Sequence, residues 1–176
     1  MKRLLLALVG AAGLAVPAGA SADFGFGHHS FVRLSGTGST FTGASATASG
    51  TAVSDALGTG TFSLSLSTTL SSATTRTGEH GSLSCAPSSA TLKLTGATTT
   101  NGLTSSLTGR ECTFKNSAGA LVASVFFGRG TVTGTGTLAS LTGRTVKVFV
   151  MQRSDNSVRG FAHVRGAFSH DNDGDE

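Results

Sequence analysis

From residue 23 onward the chain alternates between apolar and small polar side chains. The clearest run is 61–70, where Phe62, Leu64, Leu66 and Leu70 interleave with Ser63, Ser65, Ser67 and Thr69. A period of two sends successive side chains to opposite faces, so this run specifies a strand with one apolar and one hydroxyl face. No window places apolar residues at i, i+3, i+4 and i+7, Gly recurs every few positions, and β-branched Thr is abundant. All three features oppose helix.

Two hairpins can be placed. Asn101-Gly102 divides two alternating runs between 90 and 114, and Asn-Gly suits the positive φ angles of a type I′ turn. A two-residue turn there puts Leu92, Leu94, Leu103 and Leu107 on one face. Thr91, Lys93, Thr95, Thr108, Arg110 and Cys112 take the other, with Lys93 opposite Arg110. A bulge at Gly109 would return Cys112 to the apolar side. The second hairpin turns at Ser154-Asp155-Asn156-Ser157. As a four-residue loop it sets Val146, Val148, Val150 and Gln152 on a face with Arg159, Phe161, His163 and Arg165, leaving Phe149, Met151, Ala162 and Val164 on the other. Between the hairpins, 121–127 is a dense apolar strand. After it, Thr131, Thr133, Thr135 and Thr137 alternate with Val132, Gly134, Gly136 and Leu138. About eight to ten short strands with turn signals at close intervals mean an all-β chain, either an antiparallel β-barrel or a β-sandwich. The Ser- and Thr-rich run 36–60 is its weakest part, a long irregular edge hairpin or a flexible arm.

The stretch Phe127-Gly-Arg-Gly-Thr-Val-Thr-Gly-Thr-Gly-Thr-Leu-Ala-Ser-Leu-Thr-Gly143, followed by a long hairpin, resembles the glycine-threonine strand of small secreted bacterial β-proteins. More distantly it is similar to allene oxide cyclase-like and dirigent-like barrels. The resemblance spans 127–168. It implies a barrel in preference to a sandwich and carries no function, because none of those barrels' active-site residues maps onto this chain.

Composition then locates the protein. Residues 1–22 have a basic start (Lys2, Arg3), an apolar run to Val16 and an Ala20-x-Ala22 end, the pattern of a secretory signal peptide. The expected organisation is therefore a signal peptide at 1–22, a single β domain at 23–170 and an acidic tail at 171–176, in a secreted, extracellular protein. The mature part holds 22 Gly, 23 Ser and 26 Thr but no Trp or Tyr. That composition would suit a disordered linker if charge were high, yet charged residues make up only 12 % of the chain. Two cysteines in an exported chain predict one disulfide, Cys85–Cys112, rather than a metal or redox pair, which favours C-x-x-C spacing. No apolar stretch long enough for a transmembrane helix follows the signal. The aromatic girdles of outer-membrane barrels are also missing.

Charge is divided unevenly. Up to His170 the mature chain carries 11 basic and 5 acidic residues, while the other four acids fall in the last six positions. The basic residues stand singly, and no aromatic RNA-binding motif accompanies them, so a nucleic-acid partner is not expected. Candidate chemistry is sparse. There is no G-x-S-x-G, H-E-x-x-H, P-loop or dinucleotide fingerprint, and general acid/base work would have to come from Asp23, Asp55, Glu79, Glu111 and Asp155. Glu79-His80 reads as a polar turn ahead of the cysteine strand. Asp171, Asp173 and Asp175 open like a calcium loop but lack the later bidentate Glu, so they are a solvated tail or a weak cation site. His28-His29 and His170 have no defined ligand geometry. Arg159, His163 and Arg165, with Gln152 opposite, form a polar patch suited to a carboxylate or phosphate, or simply a wet strand face.

These features lean away from an enzyme, and no cofactor is expected. They favour a binding or structural module at the cell envelope, its partner a polymer or another protein. The alternative is a small-apolar-ligand carrier or an isomerase/cyclase-like barrel, with a cavity lined by Phe126, Phe149 and Phe161.

Overall fold

The computed structural model describes residues 31–165 apart from 40, 42 and 56. The expected signal peptide at 1–22, His28, His29, His170 and the expected acidic tail with Asp171, Asp173 and Asp175 lie outside the described residues. Nine strands follow in chain order: β1 (Phe31–Gly38), β2 (Ser45–Ser54), β3 (Gly58–Thr68), β4 (Thr74–Gly78), β5 (Gly81–Thr95), β6 (Gly102–Asn116), β7 (Leu121–Thr135), β8 (Thr145–Arg153) and β9 (Ser157–Val164). Short 3-10 turns at Leu70–Ser72 and Gly136–Leu141 join β3 to β4 and β7 to β8.

All pairings are antiparallel, and eight strands close into a barrel in the order β1-β2-β3-β5-β6-β7-β8-β9 and back to β1. β4 stands outside the ring. β3 pairs β5 from Thr61↔Thr95 to Thr68↔Ser88, then the chain crosses over and β4 takes up β5 from Thr74↔Cys85 onward. Closure leaves no free edge along the barrel.

The alternation read from sequence becomes inside and outside. Val32, Leu34, Phe62, Leu64, Leu66, Leu92, Leu94, Leu103, Leu107, Phe126, Val146, Val148, Val150 and Val158 fill the interior. Each such side chain contributes about 1.5–3 kcal/mol by leaving water. Phe41, in the β1–β2 connection, closes one end of the barrel. Leu57, Leu138 and Leu141, from loops at the opposite end, close the other. Most of the Ser and Thr between these apolar positions face outward, while Ser54, Thr68, Ser88, Ser105 and Ser124 are buried.

Glycine explains how so narrow a barrel is filled. Gly109 and Gly128 are opposite each other on β6 and β7 and point inward. A Cβ on Gly109 would stand 1.8 Å from the Phe127 carbonyl oxygen, and one on Gly128 would stand 2.5 Å from the Phe126 ring. Sharply coiled strands bring backbone where side chains would otherwise go. The Gly-Thr alternation of β7 is thus inward glycine against outward threonine.

Three expectations change. The β5–β6 hairpin does not turn at Asn101-Gly102: Thr95 pairs Gly102 across a loop of residues 96–101. The facing sets survive because the slip is an even number of residues, but Lys93 now opposes Thr104, and Arg110 opposes Pro87. No bulge interrupts Gly109, so Cys112 stays on the outer face; the irregularity on this side falls at Phe114/Lys115 against β7. The β8–β9 hairpin closes through three residues, 154–156, with Arg153 beside Ser157, instead of four. Gln152 pairs Val158, Asn156 adopts φ 64°, and the Asp155 carboxylate accepts the Ser157 N–H at 2.9 Å. That odd slip turns β9 over. Val158, Ala162 and Val164 go inside with Val146, Val148, Val150 and Gln152, while Arg159, Phe161 and His163 go outside with Phe149 and Met151. Finally, 36–60 supplies the end of β1, all of β2 and the start of β3, paired on both sides.

Candidate functional site

The interior's buried carboxyl and amide lie at the end closed by Phe41; toward the other end its buried polar groups are the Ser54 and Ser105 hydroxyls, which respectively accept the Leu57 N–H and donate to the Thr131 carbonyl. Gln152, buried on β8, accepts the Phe41 N–H through Oε1 at 2.8 Å and donates through Nε2 to the carbonyls of Gly38 and Ser39 at 3.0 and 2.8 Å. Ser124, buried on β7, donates to the Phe41 carbonyl at 3.2 Å. Together they hold the β1–β2 connection across the barrel mouth. Gln152 therefore does not face Arg159 and His163, as the four-residue loop implied; it is an internal pin.

Glu111 lies at the same end, inside β6 and 4 % exposed. The Thr68 hydroxyl donates to its Oε2 at 2.5 Å, and Ser88 lies 3.0 Å from Thr68. Burial pushes the Glu111 carboxyl above its ordinary range, and the Thr68 hydrogen bond works against that shift. A raised carboxyl is the usual mark of a general acid. Neither of two recesses in the barrel includes Glu111: a void of about 10 Å³ between Leu92, Leu94, Leu103, Val132, Val146 and Val164, enough for about one water, lies at the other end of the barrel, and a larger groove of about 380 Å³ opens over Thr37, Ser39, Thr47, Ser49, Ser63 and Ser65 on β1–β3.

Phe126, Phe149 and Phe161 do not line a common cavity. Phe126 is fully buried inside, whereas Phe149 and Phe161 belong to the outer face. On that face the register aligns a transverse row across five strands: Arg110 of β6, Phe127 of β7, Phe149 of β8, Phe161 of β9 and Arg33 of β1. The neighbouring row is Thr108, Arg129, Lys147, His163 and Phe31. On the other side run Cys112, Val125, Met151 and Arg159. Phe127 is 50 % exposed, and Phe31 and Phe161 are 41 % exposed.

The rings pack on one another. Phe149 and Phe161 stack with centroids 5.4 Å apart and planes at 17°, and Phe31 and His163 stack at 4.9 Å and 25°. Phe127 meets Phe149, and Phe31 meets Phe161, edge to face at 5.2 and 6.1 Å. Around them Arg33, Arg110, Arg129, Lys147 and Arg159 are all exposed. None of the described acids shares this face: Asp55, Glu79 and Asp155 sit in turns, and Glu111 points inward.

The remaining expected residues are now placed. Arg159 and His163 lie on the outer face of β9 on either side of Phe161, and Arg165 follows the strand's end, its N–H bonded to Thr145. They make a stripe along the strand rather than a converging anion pocket. Cys85 and Cys112 are direct cross-strand partners, bonded with Cα atoms 4.1 Å apart, at the point where β5 passes from β3 to β4. Glu79-His80 is the exposed two-residue turn between Gly78 and Gly81. Among the described residues no three His, Cys, Asp or Glu side chains gather as a metal site would require. The phenyl row was not visible in sequence, because its members are spread over strands whose register decides whether they meet.

No protein-family model, no curated protein and no solved structure matches this chain.

Proposed function

We propose that this chain is an exported, non-enzymatic binding module that works at the cell envelope through its exterior rather than through a cavity. The observation that carries this reading is the contrast between a filled interior, with a void of about 10 Å³, and an outer sheet face that leaves three phenyl rings between two-fifths and half exposed among five cations. Exposed apolar surface of that kind ringed by polar groups marks an interaction site. The carrier or cyclase-like alternative requires a ligand-sized apolar cavity, typically about 300 Å³ or more; the recess of that size, about 380 Å³, opens over the hydroxyl-rich side of β1–β3 and is lined by neither Glu111 nor a phenyl ring. Export is supported by the leader pattern at 1–22 and by the Cys85–Cys112 bridge, which suits an oxidising compartment.

Two measurements test the proposal together. Mass spectrometry of the exported chain, with and without reductant, should give the mass of residues 23–176 carrying one disulfide. The purified chain should sediment with isolated cell envelopes and show no saturable binding of long-chain fatty acids or other small apolar probes. Stoichiometric probe binding with no envelope association would overturn it.

A further inference from the structure

The phenyl row and its cations specify what the outer face meets, and this step rests on the exterior being the working surface. We infer that the outer face of β7, β8, β9 and β1 docks onto an anionic lipid surface, with Phe127, Phe161 and Phe31 entering the apolar boundary and Arg33, Arg110, Arg129, Lys147 and Arg159 taking the lipid phosphates. Three observations select that occupant. The first is charge: five exposed cations and none of the described acids on the face call for an anionic partner and oppose a second copy of the same face, which would set cation against cation.

The second is ring orientation. Phe149 lies against Phe161 at 17° and Phe31 against His163 at 25°, so Phe161 and Phe31 each give a face to a neighbouring ring, while Phe127 meets Phe149 edge to face at 63°. A sugar or nucleobase platform needs an open aromatic face to stack upon. An acyl layer needs only apolar volume, which ring edges provide. The third is chemistry: phenyl groups have no hydroxyl or N–H to direct at a polar polymer, and the long cationic side chains beside them can reach the headgroup plane while the rings sit deeper. On β3 the exterior is instead lined by the hydroxyls of Ser63, Ser65 and Ser67, and the other large exposed apolar side chains, Val53, Leu70, Phe114 and Val122, lie outside the phenyl rows. The protein would therefore lie on the membrane by one side and not span it.

The chain contains no Trp or Tyr, so a single introduced indole reports from one known place. The mature protein carrying Phe127→Trp is titrated with vesicles of phosphatidylcholine alone and with vesicles also containing phosphatidylglycerol, alongside Thr61→Trp on β3. Binding should require the anionic lipid and weaken as salt is raised. The indole at 127 should shift to the blue and be quenched by brominated acyl chains, while that at 61 should not. Neutralising Arg129 or Lys147 to Gln should weaken binding about fivefold each. Phe127→Ser with Phe161→Ser should weaken it at least about tenfold, with circular dichroism confirming the fold.

No binding to anionic vesicles overturns the inference, even if envelopes are still bound, and in that case the binding module survives with another partner. Equal quenching at 61 and 127 overturns the orientation. Polyphosphate or heparin binding as tightly, unaffected by the Phe substitutions, assigns the cations to a soluble polyanion instead. Emission at 127 already blue-shifted without lipid and relaxed by Asp171→Asn, Asp173→Asn and Asp175→Asn would assign the face to the chain's own acidic end.

Discussion

Glu111 and Gln152, both buried toward the barrel end closed by Phe41, have opposite consequences for stability. Gln152 satisfies both halves of its amide by holding Phe41, Gly38 and Ser39, so its polar group is buried without being left unpaired. Glu111 keeps one hydrogen bond from Thr68 and is otherwise removed from water, and burial outweighs that bond to raise its carboxyl. The native state therefore retains this proton at pH values where the unfolded chain has released it. Its contribution to stability is fully present below the ordinary value of 4.5 and is lost as pH rises through the raised native value. Glu111→Gln preserves the acceptor for Thr68 and removes the titration. Urea unfolding across the acidic to neutral range should show the variant more stable than the parent at neutral pH and similar at the acid end. A variant less stable at neutral pH would mean that the Glu111 charge is held by partners stronger than Thr68.

At the level of strands, parity decides what sequence patterns can and cannot convey. The β5–β6 faces were legible because a shift from a two-residue turn to a loop at 96–101 is even, so Leu92, Leu94, Leu103 and Leu107 remain inside. A signal for the right register was present, since a bridge between Cys85 and Cys112 across adjacent antiparallel strands requires them to be opposite each other. The β8–β9 faces were not legible, because one residue of loop length inverts a strand and β9 has apolar side chains on both sides. What selects the three-residue loop is local: Asp155 accepts the Ser157 N–H, and Asn156 occupies the left-handed region at φ 64°, where Asn is tolerated and branched residues are not. Asn156→Val should therefore cost about 1–2 kcal/mol, measured by chemical unfolding, while Asn156→Gly should be neutral or mildly stabilising. Equal losses for both would place the constraint elsewhere in the loop.

Taken whole, the barrel and its outer face have a common origin in strand order. Closing eight strands used up the alternating apolar face, so the Phe residues on the opposite face of β7, β8, β9 and β1 had nowhere to go but outward, and antiparallel register set Phe127, Phe149 and Phe161 side by side. The fold class could be read from single strands, whereas the site depends on pairings between residues 31 and 163, which no local pattern states. β5 passes from β3 at Ser88 to β4 at Cys85, with the Thr69 N–H bonded to the Pro87 carbonyl between them, and Cys85–Cys112 bridges β5 to β6 beside that junction. The bond closes a segment with a separation of 27 residues. The chain-entropy relation gives about 3.5 kcal/mol for that length. Cys85→Ser with Cys112→Ser should lower the unfolding free energy by about that amount, read from urea midpoints. Hydrogen exchange in the double variant should rise first in β4 and the Gly81–Cys85 end of β5, while β8 and β9, bonded on both sides within the ring, keep their protection. Uniform loss of protection around the barrel would instead make the bridge a condition of closure.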